Sequence, residues 1–222
     1  MITQQNALEK TQHFWQDFYA KQNNISQPSP FACWVLAHYL QQPKKIFEIG
    51  CGNGRDSFAF AQQGHQVLAI DACEVAIGKN KTQCDVQNSQ NIQFHALELS
   101  QLTKLSQEIS TTDILYSRFV LHAIPESLED TVLSCAMQNL PAGAMMIHEF
   151  RTNKDPLMNQ GEMISVNERM TDHYRRFIDS QTFRNKLLLL GWESVYFEES
   201  HGLAVFGDED PVVARCVFKK SE

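Results

Sequence analysis

The chain has 222 residues, 43% hydrophobic and 20% charged, an ordinary globular balance that excludes a disordered or fibrous protein. Its formal net charge of -7 opposes a large nucleic-acid surface, which shows itself as an excess of clustered Lys and Arg. Length and composition together predict one α/β domain over 1–222, large enough for a sizeable core.

The opening "MITQQNALEKTQHFWQDF" has no continuous apolar h-region or cleavage pattern, and no window reaches the ~18 apolar residues of a membrane helix. Cys33, Cys51, Cys73, Cys84, Cys135 and Cys216 form no C-x-x-C pair and no Cys/His ligand spacing. The expectation is a soluble cytoplasmic protein with reduced thiols and no metal. It acts as a monomer or homodimer without membrane or nucleic-acid partners.

Strand-length apolar runs then alternate with helix-period segments, the form of repeated βα units and a parallel sheet. "KKIFEIG" precedes "RDSFAFAQQG", where Phe58, Ala59 and Ala61 offer a packing face and Gly64 a stop. "HQVLAID" leads to a weaker helix from Glu74 to about Lys81. "NIQFHALEL" is a third strand, trailed by a short polar helix around Leu102 to Glu108. "DILYSRFV" is a fourth, and "SLEDTVLSCAMQNL" after it places Leu128, Val132, Leu133, Ala136, Met137 and Leu140 at helical spacing. "AMMIHEF" is a fifth. Residues 151–178 are polar and irregular, and read as an insertion over the carboxyl edge of the sheet. "SQTFRNKLLLLG" resumes as a helix capped by Ser180 or Gln181. "WESVYFEES" and "VVARCVFKK" close as strands whose 11-residue connection is too short for a crossover helix, which makes them antiparallel.

"EIGCGNG" places Gly50, Gly52 and Gly54 between the first strand and its helix, where glycines let backbone approach a ligand and aim amide N–H groups at it. The G-x-G-x-G spacing departs from the G-x-G-x-x-G dinucleotide fingerprint. Asp71 ends the second strand, where a carboxylate can accept both hydroxyls of a ribose.

On these residues the chain resembles the class I S-adenosylmethionine-dependent methyltransferases from about residue 30 onward. The resemblance implies a Rossmann-like, doubly wound, mostly parallel seven-stranded sheet with a terminal antiparallel pair and helices on both faces. It also implies S-adenosylmethionine as cofactor. Glu48 and the loop Gly50, Cys51, Gly52, Asn53 and Gly54 would hold its methionine end. Asp71 with Ala72 would take the ribose, and Glu98 with Leu99 the adenine, Glu98 standing where the family usually has Asp. In "DILYSRFVLHAIP", Tyr116 and Ser117 would line the cofactor beside the methyl. The first half is similar to tellurite-resistance and thiopurine methyltransferases, in which an N-terminal aromatic segment folds over the cofactor. Trp15, Phe18 and Tyr19, in a segment of about 1–30, are the corresponding lid candidates; the other reading is the apolar stripe of an ordinary helix.

A hydroxyl acceptor needs a general base, whereas a thiol, selenide, phosphate or carboxylate is nucleophilic as an anion. His122, His148 and Tyr174 are the candidate catalytic groups, with Glu149 a partner that could orient a histidine. Packed structural histidines are the plain alternative. "DHYRRF", read as helical, puts His173 with Arg176 or Asp172 with Arg175 on one face and gathers Tyr174 beside them, and Arg118 and Arg151 could join; such guanidinium groups fork carboxylate or phosphate. A solvated helix face is the competing reading. Asp208, Glu209 and Asp210 in "FGDEDP" read as a turn.

The leading expectation is methyl transfer to a small, anionic or polyhydroxylated metabolite, on oxygen. The alternatives are an S- or Se-methyltransferase, an NAD-dependent oxidoreductase, and a non-catalytic cofactor-binding module.

Overall fold

The computed structural model describes residues 2–22 and 27–221. Helix α1 (Gln4–Lys21) starts under Thr3, whose side chain accepts the Asn6 amide, and α2 (Pro30–Tyr39) starts under Ser29 with a proline in its first turn. Residues 23–26 of the expected lid segment lie outside the described residues. The alternating part follows as β1 (Lys45–Ile49), α3 (Arg55–Gln62), β2 (Gln66–Asp71), α4 (Glu74–Gln87), β3 (Ile92–Ala96), α5 (Ser106–Ile109), β4 (Ile114–Arg118), α6 (Glu126–Asn139) and β5 (Met145–Arg151). A small antiparallel sheet, β6 (Glu162–Ser165), β7 (Glu168–Met170) and β8 (Tyr174–Arg176), precedes α7 (Ser180–Leu189), β9 (Trp192–Ser200) and β10 (Val213–Lys220).

Among the described residues the main sheet has seven strands in the order β3-β2-β1-β4-β5-β10-β9. The first five pair in parallel, and β10 is antiparallel to both β5 and β9, as the short connection requires. The central strands are buried on both faces, so successive residues feed two separate cores. On one face Ile46, Tyr116, Ile147 and Val217 meet Phe31 and Val35 of α2 and Phe58 and Phe60 of α3. On the other, Leu115, Met146 and Phe218 meet Val132 and Leu133 of α6 and Phe183 and Leu187 of α7. The strand order reverses between β2-β1 and β4, which opens a crevice at the carboxyl edge of β1 and β4.

Four local expectations change. The "DHYRRF" run is not helical: it forms β8, paired with β7 through Arg169 and Arg175, so facing alternates and His173 shares a side with Arg175 rather than Arg176. Helix α4 runs on to Gln87, ending at Asn88 in the left-handed conformation. A 3-10 segment, Leu99–Leu105, replaces most of the polar helix expected at 102–108, leaving α5 as a single turn. The cap of α7 is Asp179, whose carboxylate accepts the Thr182 amide at 2.7 Å; a carboxylate there suits the helix dipole better than the hydroxyl of Ser180. No helix among the described residues is long and apolar enough to cross a membrane.

Candidate active site

The glycine loop is held by contacts that only glycine permits. Gly50, Gly52 and Gly54 all have positive φ, at 68°, 51° and 71°. A Cβ on Gly50 would stand 2.2 Å from Val120 Cγ2, and one on Gly52 would stand 2.1 Å from the Tyr19 hydroxyl. The Cys51 amide donates to Ile70 O at 3.0 Å, and the Asn80 side chain donates to Gly52 O at 2.8 Å. Asp71 braces the loop from β2: its Oδ2 accepts the Gly52 amide and its Oδ1 the Cys73 amide, each at 2.8 Å. Burial pushes the Asp71 carboxyl up while those two amides pull it down. Beyond it Ala72 and Glu98 are exposed and Leu99 is half-buried, leaving the edge of β2 and β3 open.

Beneath the loop lies a pair of buried acids. Glu48 accepts a hydrogen bond from the Ser57 hydroxyl, and burial together with neighbouring Asp56 pushes its carboxyl up to about 8. Asp56, in the first turn of α3, accepts from the Ser29 amide and hydroxyl at 2.7 and 2.8 Å and from the Tyr116 hydroxyl at 2.8 Å. Tyr116 is therefore enclosed between Phe31 and Phe60, and Ser117 is enclosed on the opposite face against His148. Neither lines an open crevice, because the alternation of β4 sends both into cores. The residue that reaches the loop comes later: Val120, against Gly50.

Helix α1 crosses this edge. Lys79 of α4 donates to the carbonyls of Tyr19, Ala20 and Gln22 at 2.7, 2.8 and 2.7 Å, capping the helix end with an ammonium. Asn53 reaches Gln22 at 3.1 Å and the Cys73 thiol contacts Trp15 O at 3.7 Å. Earlier in α1, the Thr11 hydroxyl accepts the Tyr174 amide at 2.7 Å, and the rings of Phe14 and Trp15 pack on His173 at 4.9 and 4.7 Å. The helix thus joins the glycine loop to the small sheet.

Between these two anchorages lies a cationic cluster. Phe119 has φ 61°, an uncommon strain for a bulky residue, and its ring carries the Arg118 guanidinium at 4.1 Å and the Arg151 guanidinium at 5.6 Å. His122 packs edge-on to Phe119, and its Nδ1 accepts the Arg151 amide at 3.1 Å. Burial, then Arg151, Arg175 and His173, push its basicity well below the ordinary range. Burial and Arg175 likewise bring His173 down to about 4. Arg118 is fixed by Glu149, which also takes Arg215 at 2.6 Å; Arg151 binds Asp155 at 3.0 Å and Glu209 at 2.8 Å; Arg175 binds Asp172 and Thr171.

Three further expected site residues are structural. His148 is fully buried beside Phe183, its Nδ1 2.7 Å from Ser117 Oγ, and burial lowers it to about 3. Tyr174 is fully buried with its hydroxyl on Glu168, so burial and that carboxylate push its ionisation up. The Arg176 guanidinium is consumed by Leu121 O, Ile124 O and the Glu129 carboxylate. His122 remains at the site but not as a base: its Nδ1 is already an acceptor, which puts the proton on Nε2. Trp15, Tyr19, Arg118, Arg151, His173 and Arg175 do gather at the edge. Phe119, Val120, Asp56 and Lys79 escaped the sequence reading, and Glu209 was read only as part of a turn. Only Asp56, an acid in the first helical turn behind the glycines, carried a visible signal.

The cradle fits an adenosyl sulfonium: left-handed glycines without room for Cβ atoms, a brace at Asp71 and an open edge beyond it. A family model described as a methyltransferase domain matches residues 40–192. A ubiquinone biosynthesis O-methyltransferase from Azoarcus sp. (strain BH72) is 26% identical over 172 residues, covering 75% of this chain and 72% of that protein. The chain spans between 45% and 72% of the length of the curated relatives it matches. The fold is similar to TehB from Haemophilus influenzae, with TM-score 0.67 and 15% identity over 93% of this chain and 67% of that one. It is also similar to the Burkholderia thailandensis 1,6-didemethyltoxoflavin-N1-methyltransferase, solved with S-adenosylhomocysteine bound, with TM-score 0.67 and 16% identity over 97% and 88%. With the motifs and the sheet order above, these matches make the chain a member of the class I S-adenosylmethionine-dependent methyltransferases.

Proposed function

We propose that the chain methylates a small metabolite carrying an anionic or polyhydroxylated group, on oxygen. The observation that supports it is the cluster of Arg118, Arg151 and Arg175 with neutral His122 and His173, walled by Phe119 and Trp15. Through Val120, this cluster adjoins Gly50 of the cradle. The O-methyltransferase relatives support oxygen as the accepting atom.

The glycine loop, Glu48, Asp71, Ala72, Glu98 and Leu99 would hold S-adenosylmethionine, which would supply a methyl group on a sulfonium for in-line displacement. The protein's tasks are to align the acceptor and exclude water, and alignment alone accounts for ~7–11 kcal/mol of barrier in favourable cases. Helix α1 serves as the lid and the β6–β8 insertion as the acceptor wall of one domain. Both histidines are too weakly basic near neutral pH to serve well as general bases. Guanidinium groups instead favour the ionised form of an acidic hydroxyl or carboxyl, and an acceptor oxygen that enters as an anion needs no base. The His122 Nε2–H can orient it as a donor.

Transfer of labelled methyl from S-adenosylmethionine to a panel of carboxylates, phenols, polyols and thiols tests this reading. Label on ionisable oxygen acceptors is expected, and a preference for thiols or selenols contradicts it.

A further inference from the structure

The two carboxylates on Arg151 are not equivalent. Asp155 is enclosed, its side chain 1% exposed; one oxygen binds Arg151 Nη1 and the other caps the following 3-10 turn by accepting the Leu157 amide at 2.8 Å. It is part of the frame. Glu209 binds Arg151 Nη2 from the outside, and its side chain is 63% exposed. It arrives on the connection between β9 and β10, which the pairing of Val213 with Arg151 brings to the carboxyl edge. There Phe206 and Glu209 exchange backbone hydrogen bonds of 2.9 and 3.0 Å, so the turn is closed by its main chain and does not depend on the Glu209 side chain.

In the ion-pair network formed by Arg118, Arg151, Arg175 and Arg215, the charges are balanced only with Glu209 in place. Arg118 and Arg215 share Glu149, Arg151 has Asp155 and Glu209, and Arg175 has Asp172. Arg118, Arg151, Arg175 and Arg215 thus face Glu149, Asp155, Asp172 and Glu209, and removing the last leaves one positive charge in surplus. The Arg151 side chain is 8% exposed, beside the Phe119 ring and bonded through its amide to His122. A guanidinium that enclosed gains from a carboxylate in its fork, whereas an ion pair to an exposed carboxylate is weak and cheaply exchanged.

We propose that Glu209 is a displaceable counter-ion, exchanged at the outer fork of Arg151 for the carboxylate of an acceptor that bears a single negative charge. The inference rests on the acceptor-site reading above and makes it narrower. A monoanion restores neutrality when Glu209 swings out. A neutral acceptor leaves Glu209 seated, and a dianion brings an excess of negative charge.

The test is calorimetric titration of wild type, Glu209→Gln and Glu209→Ala with benzoate and with benzamide, each in the presence of saturating S-adenosylhomocysteine. Equal affinity for S-adenosylhomocysteine and equal melting temperature certify that the variants are folded. Benzoate is expected to bind both variants about two- to fivefold more tightly than wild type, the scale of an exposed ion pair, with benzamide unchanged. Equal benzoate affinity in all three proteins overturns the exchange and leaves the anionic site standing. Binding of benzamide without benzoate overturns both.

Discussion

The hydroxyl of Tyr19 stands 2.1 Å from the position a Cβ on Gly52 would occupy, so the N-terminal helix and the glycine loop meet with no space for a methyl group. Gly52→Ala therefore displaces the Tyr19 ring from the loop and adds left-handed strain of about 1–2 kcal/mol. Affinity for S-adenosylhomocysteine should fall by about five- to thirtyfold on this scale. Adding Tyr19→Ala should recover the part due to collision, and a double-mutant cycle measures that part. Additivity of the two substitutions would show that the contact does not couple helix and loop.

Asp71 accepts two backbone amides, and its loss orphans both. Each buried unpaired amide costs about 1–3 kcal/mol. Asp71→Ala should weaken S-adenosylhomocysteine binding at least about tenfold by calorimetry, and unchanged affinity would remove Asp71 from the cradle.

Arg175 and Arg176 are neighbours with opposite duties. Arg176→Ala leaves the buried Glu129 with only Lys186, at 3.0 Å, and should cost about 3 kcal/mol in urea unfolding. Arg175 faces the cluster with its Nε lacking a hydrogen-bond partner among the described residues, and its guanidinium donates to Thr171 and Asp172. Arg175→Ala should leave unfolding near wild type and raise the KM of an anionic acceptor. Equal destabilisation by the two would refute the division.

The buried titratable groups set the pH dependence of stability. The Glu48 carboxyl moves up from an ordinary 4.5 to about 8 on folding, so its contribution is complete below 4.5 and is lost as pH rises through about 8. His148 falls from 6.5 to about 3, so its contribution is complete above 6.5 and is lost as pH drops toward 3. Thermal melts should therefore decline on both sides. Glu48→Gln should flatten the alkaline limb between about pH 6.5 and 8 while leaving the acid limb in place. An unaltered alkaline limb would show that another group titrates there.

The strands and the closing antiparallel pair were legible because strand burial and connection length are local properties, whereas the doubly wound order came only from the family resemblance. "KKIFEIG", "HQVLAID" and the 11 residues from His201 to Pro211 carry them directly. Gly50, Gly52, Gly54 and Asp71 were legible for the same reason: positive φ and a strand-end acid leave marks in the sequence. The acceptor side was harder. Whether "DHYRRF" is strand or helix depends on pairing with Arg169, a tertiary fact, and the wrong period put His173 with Arg176 instead of Arg175. Likewise, parity along β4 and β5 decides that Tyr116, Ser117 and His148 enter cores, while Arg118 and Glu149 meet Arg215 across three strands. Nothing in the sequence near Phe119 announces a left-handed backbone.

The most direct test of the account is a crystal structure with S-adenosylhomocysteine bound. The ribose should lie on Asp71, the homocysteine along Gly50 to Gly54, and the sulfur should face Phe119, Val120 and the Arg118–Arg151–Arg175 cluster beneath α1. A sulfur turned away from that cluster, or an adenosyl group lodged in the polar groove of Lys45, Gln66 and Gln93 at the opposite edge of the sheet, would contradict it.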